Sequence, residues 1–174
     1  YTERELLHQF NDSGAKVLVV LADLLGMIEK VIPQTNIDLV ISTSAIDMIE
    51  AKPKPLSSLK NLISLPDALE AGKSHDLPNL AATMESIAVL QYTGGTTGAP
   101  KGAVLTHGNF FASAAISTLA FQDISKKELS ISPMPLYHIY GFLVHVISGV
   151  LNGNQSVLIP DPRDTDSLIS TMKK

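Results

Sequence analysis

The sequence contains no cysteine, no excess of basic residues and no hydrophobic run long enough to span a bilayer. Without cysteine there is no disulfide framework, thiolate metal site or thiol nucleophile, and the cytoplasm is the expected compartment. The formal net charge of -4 offers no basic face to nucleic acid, and no acidic block indicates an interaction tail. The longest apolar stretch, residues 139–151, has His145 in its middle, so we predict a buried helix there and no transmembrane segment.

The size and composition of the chain are those of a globular domain. It has 174 residues, of which 45% are hydrophobic and 17% are charged. The charged opening residues predict an amphipathic helix, not a signal peptide. The chain lacks an initiator methionine, and the helical pattern of Leu168, Ile169 and Met172 stops at its end. We therefore expect a segment of a longer protein, and an intact mass near 18.6 kDa for the natural product would contradict this.

A first helix is predicted at the start of the chain. Thr2 and Glu5 have the spacing of a capping box, in which each side chain bonds the other residue's backbone amide. Gly14 stands where helices commonly end, so the helix should stop near Asp12. This helix opens an alternation of helical and strand patterns that continues along the chain.

The next segments predict a βαβ unit. Residues 16–22 form an unbroken apolar run typical of a strand covered on both faces, and Asp23 is placed to cap the helix that follows. The strand pattern returns at residues 37–42, so the crossover should make the two strands parallel. Residues 51–82, with four prolines, predict an irregular surface excursion with one short helical piece around Ala68.

Regular alternation resumes after this excursion. We predict a strand ending at Tyr92, a helix capped by Thr106 or Asn109, and a short strand that breaks at Pro133. The helix at 139–151, a strand from Gln155 and a final helix complete the pattern. The predicted fold class is α/β, with a mainly parallel, twisted sheet and helices on both faces.

Residues 92–103, YTGGTTGAPKGA, carry the chemistry. Four glycines would let backbone amides approach phosphate oxygens, and a strand that ends in a glycine-rich loop before a helix is a common phosphate site. Three threonine hydroxyls could add hydrogen bonds. Lys101 could follow phosphate oxygens as charge moves among them, which suits a triphosphate.

Other loops with many glycines fit these residues less well. A plain turn with self-bonded threonines is the bland alternative, but the stretch is long, follows a buried strand and contains a lysine. A P-loop would need G-K-[ST], whereas Gly102 follows Lys101. A dinucleotide fingerprint would need G-x-G, whereas Gly94 and Gly95 are adjacent.

Tyr92–Gly102 closely resembles the phosphate-binding motif of the adenylate-forming superfamily, [YF]-T-S-G-[ST]-T-G-x-P-K-G. Gly94 alone departs from it, and this glycine variant is similar to that of bacterial long-chain fatty-acid CoA ligases. Residues 135–142, PLYHIYGF, resemble the next core motif, and residues 1–20 resemble the part of such ligases that precedes the loop. Residues 43–82 match weakly.

The resemblance implies ATP-dependent activation of a fatty acid to an acyl-adenylate and then to acyl-CoA, with ATP, Mg²⁺ and coenzyme A as small-molecule participants. It implies that 1–174 is part of the N-terminal AMP-binding domain, without the remainder of that domain, its magnesium glutamate or the C-terminal domain. The 174 residues alone are then expected to be inactive. The implied nucleotide-binding residues are Tyr92, Thr93, Gly94, Gly95, Thr96, Thr97, Gly98, Ala99, Pro100, Lys101, Gly102 and Ala103.

Lys101 and His138 are the implied catalytic residues. The resemblance places Lys101 on the departing pyrophosphate and His138 near the reacting carboxylate. From the sequence alone a second interpretation of His138 stays open, namely a packed residue that donates to a backbone carbonyl. The other four histidines are interpreted as structural or exposed, and no spacing of side chains predicts a metal site.

Two other functions stay open at this point. An adenylation domain that loads an acyl or amino-acid group onto a carrier protein would use the same loop. A non-catalytic nucleotide-binding module would need the fold but not Lys101. Acyl chain length, oligomeric state and peripheral contact of the parent with the inner membrane are not predicted.

Overall fold

The computed structural model describes residues 1–47, 49, 57–94, 99–121 and 129–173. The fold is α/β with parallel strands and helices, as the sequence predicts. The chain forms two compact units, each described here by itself. The first contains Tyr1–Ala81 and Tyr92–Ala103, and the second contains Ala82–Gln91 and Val104–Lys174.

The first unit is built on three parallel strands in the order β1-β2-β3. Its elements are α1 (Glu3–Ser13), β1 (Val17–Leu21), a 3₁₀ turn (Ala22–Leu24), α2 (Leu25–Val31), a second 3₁₀ turn (Ile32–Gln34), β2 (Leu39–Thr43), β3 (Leu62–Ser64) and α3 (Leu65–Gly72).

Local signals set the bounds of α1. The Thr2 hydroxyl accepts from the Glu5 amide at 3.3 Å, and the Glu5 carboxylate accepts from the Thr2 amide at 2.7 Å, which confirms the capping box. Gly14 ends the helix at φ 66°, in the left-handed region that glycine adopts without a Cβ clash. One face of α1 places Phe10 against Ile28 and Val31 of α2, in the core beneath β1.

The structure corrects three local predictions in this unit. Asp23 lies inside the first 3₁₀ turn, and the N-cap of α2 is Leu24, which makes no side-chain cap bond. Strand β3 lies within residues 51–82 and extends the sheet, whereas only the helix found at α3 was expected there. The alternate side chains of β1 that face away from Phe10 are about half exposed, so the described residues cover this strand on one face; they are Val17, Val19 and Leu21.

Two further strands form a sheet of their own, in which β4 (Ile87–Thr93) neighbours β5 (Lys101–Thr106). The second unit contains α4 (His107–Phe121), the parallel pair β6 (Leu129–Ser132) and β7 (Gln155–Leu158), and the final helix α7 (Thr165–Met172). Thr106 caps α4 as predicted, because its hydroxyl accepts from the Asn109 amide at 3.2 Å.

The predicted helix at 139–151 is present but is not regular. It consists of α5 (Ile139–Gly141), a π-helical segment (Phe142–Ser148) and α6 (Gly149–Asn152). Val150 is 75% exposed and Leu151 is 66% exposed, so the expectation of a buried helix is wrong at its carboxyl end. None of the helices in the described residues combines the length and apolarity needed to cross a bilayer.

Candidate functional site

The predicted phosphate-binding residues lie between β4 and β5. Tyr92 and Thr93 end β4, Gly94 follows them, and Lys101, Gly102 and Ala103 begin β5. Ala99 and Pro100 precede that strand. The predictions for Gly95, Thr96, Thr97 and Gly98 lie outside the described residues.

Strand β5 corrects the expected topology, in which the glycine-rich loop led directly to a helix. Helix α4 begins only after β5. Its first amides are engaged elsewhere, because His107 donates to the Ser86 carbonyl at 3.0 Å and Gly108 donates to the Met84 carbonyl at 2.8 Å. These two amides of α4 are therefore not available to a phosphate.

Tyr92 is the buried anchor of the site. Its side chain is 8% exposed, and its hydroxyl donates to Asp12 Oδ2 at 2.6 Å. Burial, followed by the hydrogen bond that the hydroxyl donates to Asp12, raises the pKa of Tyr92 to about 12. A Cβ at Gly102 would lie 3.1 Å from Tyr92 Cζ, so glycine at this position leaves room for the ring.

Lys101 differs from Tyr92 in being exposed. Within the described part of the chain, its ammonium group makes no ion pair or hydrogen bond. Thr93, Gly94 and Ala99 are exposed as well. An exposed cation without a protein partner can neutralise an anionic ligand without first breaking a protein ion pair.

Pro100, near the end of the loop, is held by a hydrogen bond to its backbone carbonyl. Its carbonyl oxygen lies 2.8 Å from Nε2 of His8, and since a carbonyl only accepts, the His8 ring donates. A cleft of about 420 Å³ opens here, lined by Thr2, Arg4, Glu5, His8, Ala99 and Pro100. The roles of His8 and Asp12 at the loop could not be predicted from the sequence, because their contacts with the loop join residues far apart in the chain.

His138 belongs to the second unit, where it is exposed and caps α5. Its Nδ1 accepts from the Tyr140 amide at 3.2 Å, which leaves Nε2 as the protonated nitrogen of the neutral ring. The alternative of a packed histidine that donates to a carbonyl is therefore wrong. Gly141 sits close beneath this cap, because a Cβ there would lie 2.6 Å from the Pro135 carbonyl oxygen.

His145 fits its interpretation as a structural residue. Its Nδ1 lies 3.3 Å from Ser130 Oγ on β6 and 3.3 Å from Ser156 Oγ on β7, so it joins the π-helical segment to both strands. Burial lowers the pKa of His145 and favours the neutral ring.

Across the described residues, no three acidic or histidine side chains are grouped to hold a metal ion, and we assign no magnesium ligand to this chain.

Comparison with known proteins adds a family to this geometry. A family described as AMP-binding enzyme matches residues 1–174. The long-chain-fatty-acid–CoA ligase of Salmonella typhimurium is 33% identical to this chain over 190 residues, covering 100% of it. That match takes in 34% of the ligase, so the chain spans about a third of its relative's length.

Solved structures agree on the fold. A long-chain-fatty-acid-CoA ligase from Archaeoglobus fulgidus superposes with a TM-score of 0.66 at 29% identity, over 91% of this chain and 28% of that one. The o-succinylbenzoate coenzyme A synthetase of Bacillus subtilis, in complex with ATP and magnesium ion, superposes with a TM-score of 0.68 at 26% identity, over 99% and 30%. Both similarities extend over nearly the whole chain.

Proposed function

Because this chain belongs to the AMP-binding enzyme family, we propose that it supplies the ATP phosphate-binding region of a ligase that activates a fatty acid. In the first half-reaction the fatty carboxylate attacks the α-phosphate of ATP and displaces pyrophosphate, giving an acyl-adenylate. In the second half-reaction the thiol of coenzyme A attacks the acyl carbon and releases AMP. The fatty acid and coenzyme A are proposed from the ligase of Salmonella typhimurium.

The main obstacle in the first step is the approach of one anion to another. Positive charge and hydrogen-bond donors on the departing pyrophosphate stabilise the charge that grows there in the transition state. Lys101 is the exposed cation at this position, and Thr93 and the backbone at Gly94 lie open beside β5. We assign Lys101 the role of neutralising the β- and γ-phosphates and following pyrophosphate as it leaves.

The observation that carries this proposal is the contrast between Lys101 and Tyr92. The tyrosine at the start of the loop is buried and hydrogen-bonded, whereas the lysine at its end is exposed and free of described partners. A loop whose first residue is held in place, and whose lysine has no described protein partner, suits a ligand on which negative charge shifts during the reaction. A loop that served only as a turn would not need the cation.

His138 is proposed to lie near the reacting carboxylate. Its Nδ1 is occupied by the Tyr140 amide, so the exposed ring can offer Nε2–H to a carboxylate oxygen. A hydrogen bond of this kind would orient the nucleophile without removing its charge.

Magnesium is present in the Bacillus subtilis structure. We assign no magnesium ligand among the described residues of this chain and no step of the reaction to the metal.

Carboxylate-dependent ATP–pyrophosphate exchange by the full-length protein tests the function. Fatty acids of short, medium and long chain would be compared with a mixture of amino acids. Exchange with fatty acids alone, followed by acyl-CoA formation when coenzyme A is added, is the expected result. Exchange with amino acids would move the assignment to a carrier-loading enzyme, and no exchange with any acid would refute the proposal.

Lys101→Ala tests the assigned role. We expect exchange to fall by about 100-fold or more with the fold intact, because one contact to transition-state charge is typically worth about 3–4 kcal/mol. Lys16→Ala is the matched control, since Lys16 is also an exposed lysine of the first unit but pairs with Asp38 at 3.5 Å. Equal activity of the two variants would favour a non-catalytic module.

A further inference from the structure

We propose that helix α1 positions both ends of the phosphate-binding loop, through Asp12 at its start and His8 at its end. This inference rests on the function proposed above and assigns two positioning residues to the same site. Neither side chain needs to touch ATP. Each would act by fixing backbone or side-chain groups of the loop that do.

The contact at the start of the loop is a short, partly buried hydrogen bond between the exposed Asp12 and the buried Tyr92. Asp12 Oδ2 accepts from the Tyr92 hydroxyl at 2.6 Å, and Tyr92 is followed directly by Thr93 and Gly94. The ring of Tyr92 also lies against Gly102, where an added Cβ would meet its Cζ at 3.1 Å. Tyr92 therefore connects α1 with both the last residues of β4 and the first residues of β5.

The contact at the end of the loop acts on the backbone. His8 Nε2 donates to the Pro100 carbonyl oxygen at 2.8 Å. That carbonyl belongs to the peptide unit that continues into the amide nitrogen of Lys101, and the peptide unit is planar. Holding the oxygen therefore fixes the plane from which the Lys101 side chain departs.

The two contacts come from one face of one helix. Residues four apart in an α-helix are neighbours on the same face, with a rise between them of about 6 Å. Phe10, two residues from each, lies on the opposite side and packs into the core with Ile28 and Val31. Helix α1 thus has a core face that fixes it to α2 and a loop face that carries His8 and Asp12.

The ends of α1 are also fixed, which makes the helix a rigid support. The capping box of Thr2 and Glu5 holds its first turn, and Gly14 closes its last turn. A loop that must place several donors around a phosphate loses less conformational entropy on binding if its ends are already held. The expected benefit is therefore in the use of ATP and not in the use of the carboxylate.

The test uses the full-length protein and alanine variants of the two positioning residues. Asp12→Ala and His8→Ala are each expected to raise the KM for ATP about tenfold or more, since a hydrogen bond of this kind is typically worth about one decade in an equilibrium. The KM for the carboxylate should change by less than about twofold. Hydrogen exchange of the amides around Thr93 and Lys101 should become faster in both variants.

Conservative variants and a matched control separate positioning from general stability. Asp12→Asn keeps an acceptor for Tyr92, and His8→Gln keeps a donor for Pro100, so both should recover most of the ATP affinity. Asn11→Ala removes a different α1 bond, the one from Asn11 Nδ2 to the Gln34 carbonyl at 3.2 Å. It should leave the KM for ATP unchanged.

The outcomes distinguish this inference from the proposed function. If Asp12→Ala and His8→Ala match Asn11→Ala in both the KM for ATP and loop exchange, the positioning role is overturned. It is also overturned if the KM values for ATP and carboxylate rise together. If the unmodified protein shows no pyrophosphate exchange, the proposed function fails, and ATP binding and hydrogen exchange in the variants still decide the role of α1.

Discussion

Among single residues, the Tyr92 hydroxyl makes the free energy of unfolding depend on pH. In the unfolded chain a tyrosine loses its proton near pH 10.0, whereas burial and Asp12 raise the pKa of folded Tyr92 to about 12. The unfolded state therefore ionises first as the pH rises. The stabilisation from neutral Tyr92 is complete below pH 10.0 and is lost progressively between that value and about 12.

Comparison of the natural sequence with Tyr92→Phe isolates this contribution. The tyrosine protein should be the more stable of the two near neutral pH, because it keeps the bond to Asp12, and the difference in free energy of unfolding should shrink as the pH rises above about 10. Urea denaturation at several pH values measures both curves. A difference that stays constant across this range would contradict a buried, neutral Tyr92.

At the scale of elements, Gly141 is required by close packing in the second unit. A Cβ there would lie 2.6 Å from the Pro135 carbonyl oxygen, which is backbone and cannot swing aside. Gly141→Ala should therefore lower the free energy of unfolding by about 1–3 kcal/mol, the usual cost of overpacking. It should also disturb the turn that leads into the His138 cap.

Gly149 provides the matched control, because it lies in the same run of helix. The nearest atom to a Cβ at Gly149 is the Val144 carbonyl oxygen at 3.5 Å, an ordinary contact distance. Gly149→Ala should be neutral or stabilising by up to about 1 kcal/mol, since alanine is the better helix former. Thermal denaturation compares the two variants, and an equal loss of stability in both would refute the packing argument.

The elements that the sequence predicted are those with local signals. The caps of α1, the parallel pairing of β1 with β2 and the strand that ends near Tyr92 follow from spacing and β-branched runs within a few residues. Strand β5 was missed because KGAVLT follows glycine and proline and has no polar–apolar alternation. The π-helical segment was missed because its apolar pattern is the same as that of an ordinary helix.

The residues of the candidate site also divide into those with a local signal in the sequence and those without one. Lys101, Tyr92 and their neighbours could be predicted as site residues because they lie in one contiguous motif. His8 and Asp12 are 92 and 80 residues away along the chain from the residues that they contact in that motif. Helical periodicity predicts which face of α1 they occupy, but not which residues lie opposite that face. Their polar i, i+4 spacing on a helix with an apolar opposite face was the available signal, and it is also the pattern of an ordinary solvent-facing side.

At the scale of the whole molecule, the described residues supply one part of the proposed chemistry. They bring Tyr92, Pro100 and Lys101 together on the first unit, and His138 belongs to the second. They contain no group of side chains that could hold a metal ion. The Salmonella ligase that the chain matches is about three times as long, since the match takes in 34% of it.

This division predicts that the 174 residues alone are catalytically inactive. Phosphate contacts by themselves neutralise only part of the charge in adenylate formation, and phosphoryl-transfer sites generally add a metal ion and further positioned donors. The purified 174 residues should release no pyrophosphate in response to a carboxylate, under conditions in which the full-length protein does. Circular dichroism would first establish that the isolated chain is folded. Carboxylate-dependent pyrophosphate release by that folded chain would show that the catalytic groups lie within these residues, and the search for them would then begin around His138 and Lys101.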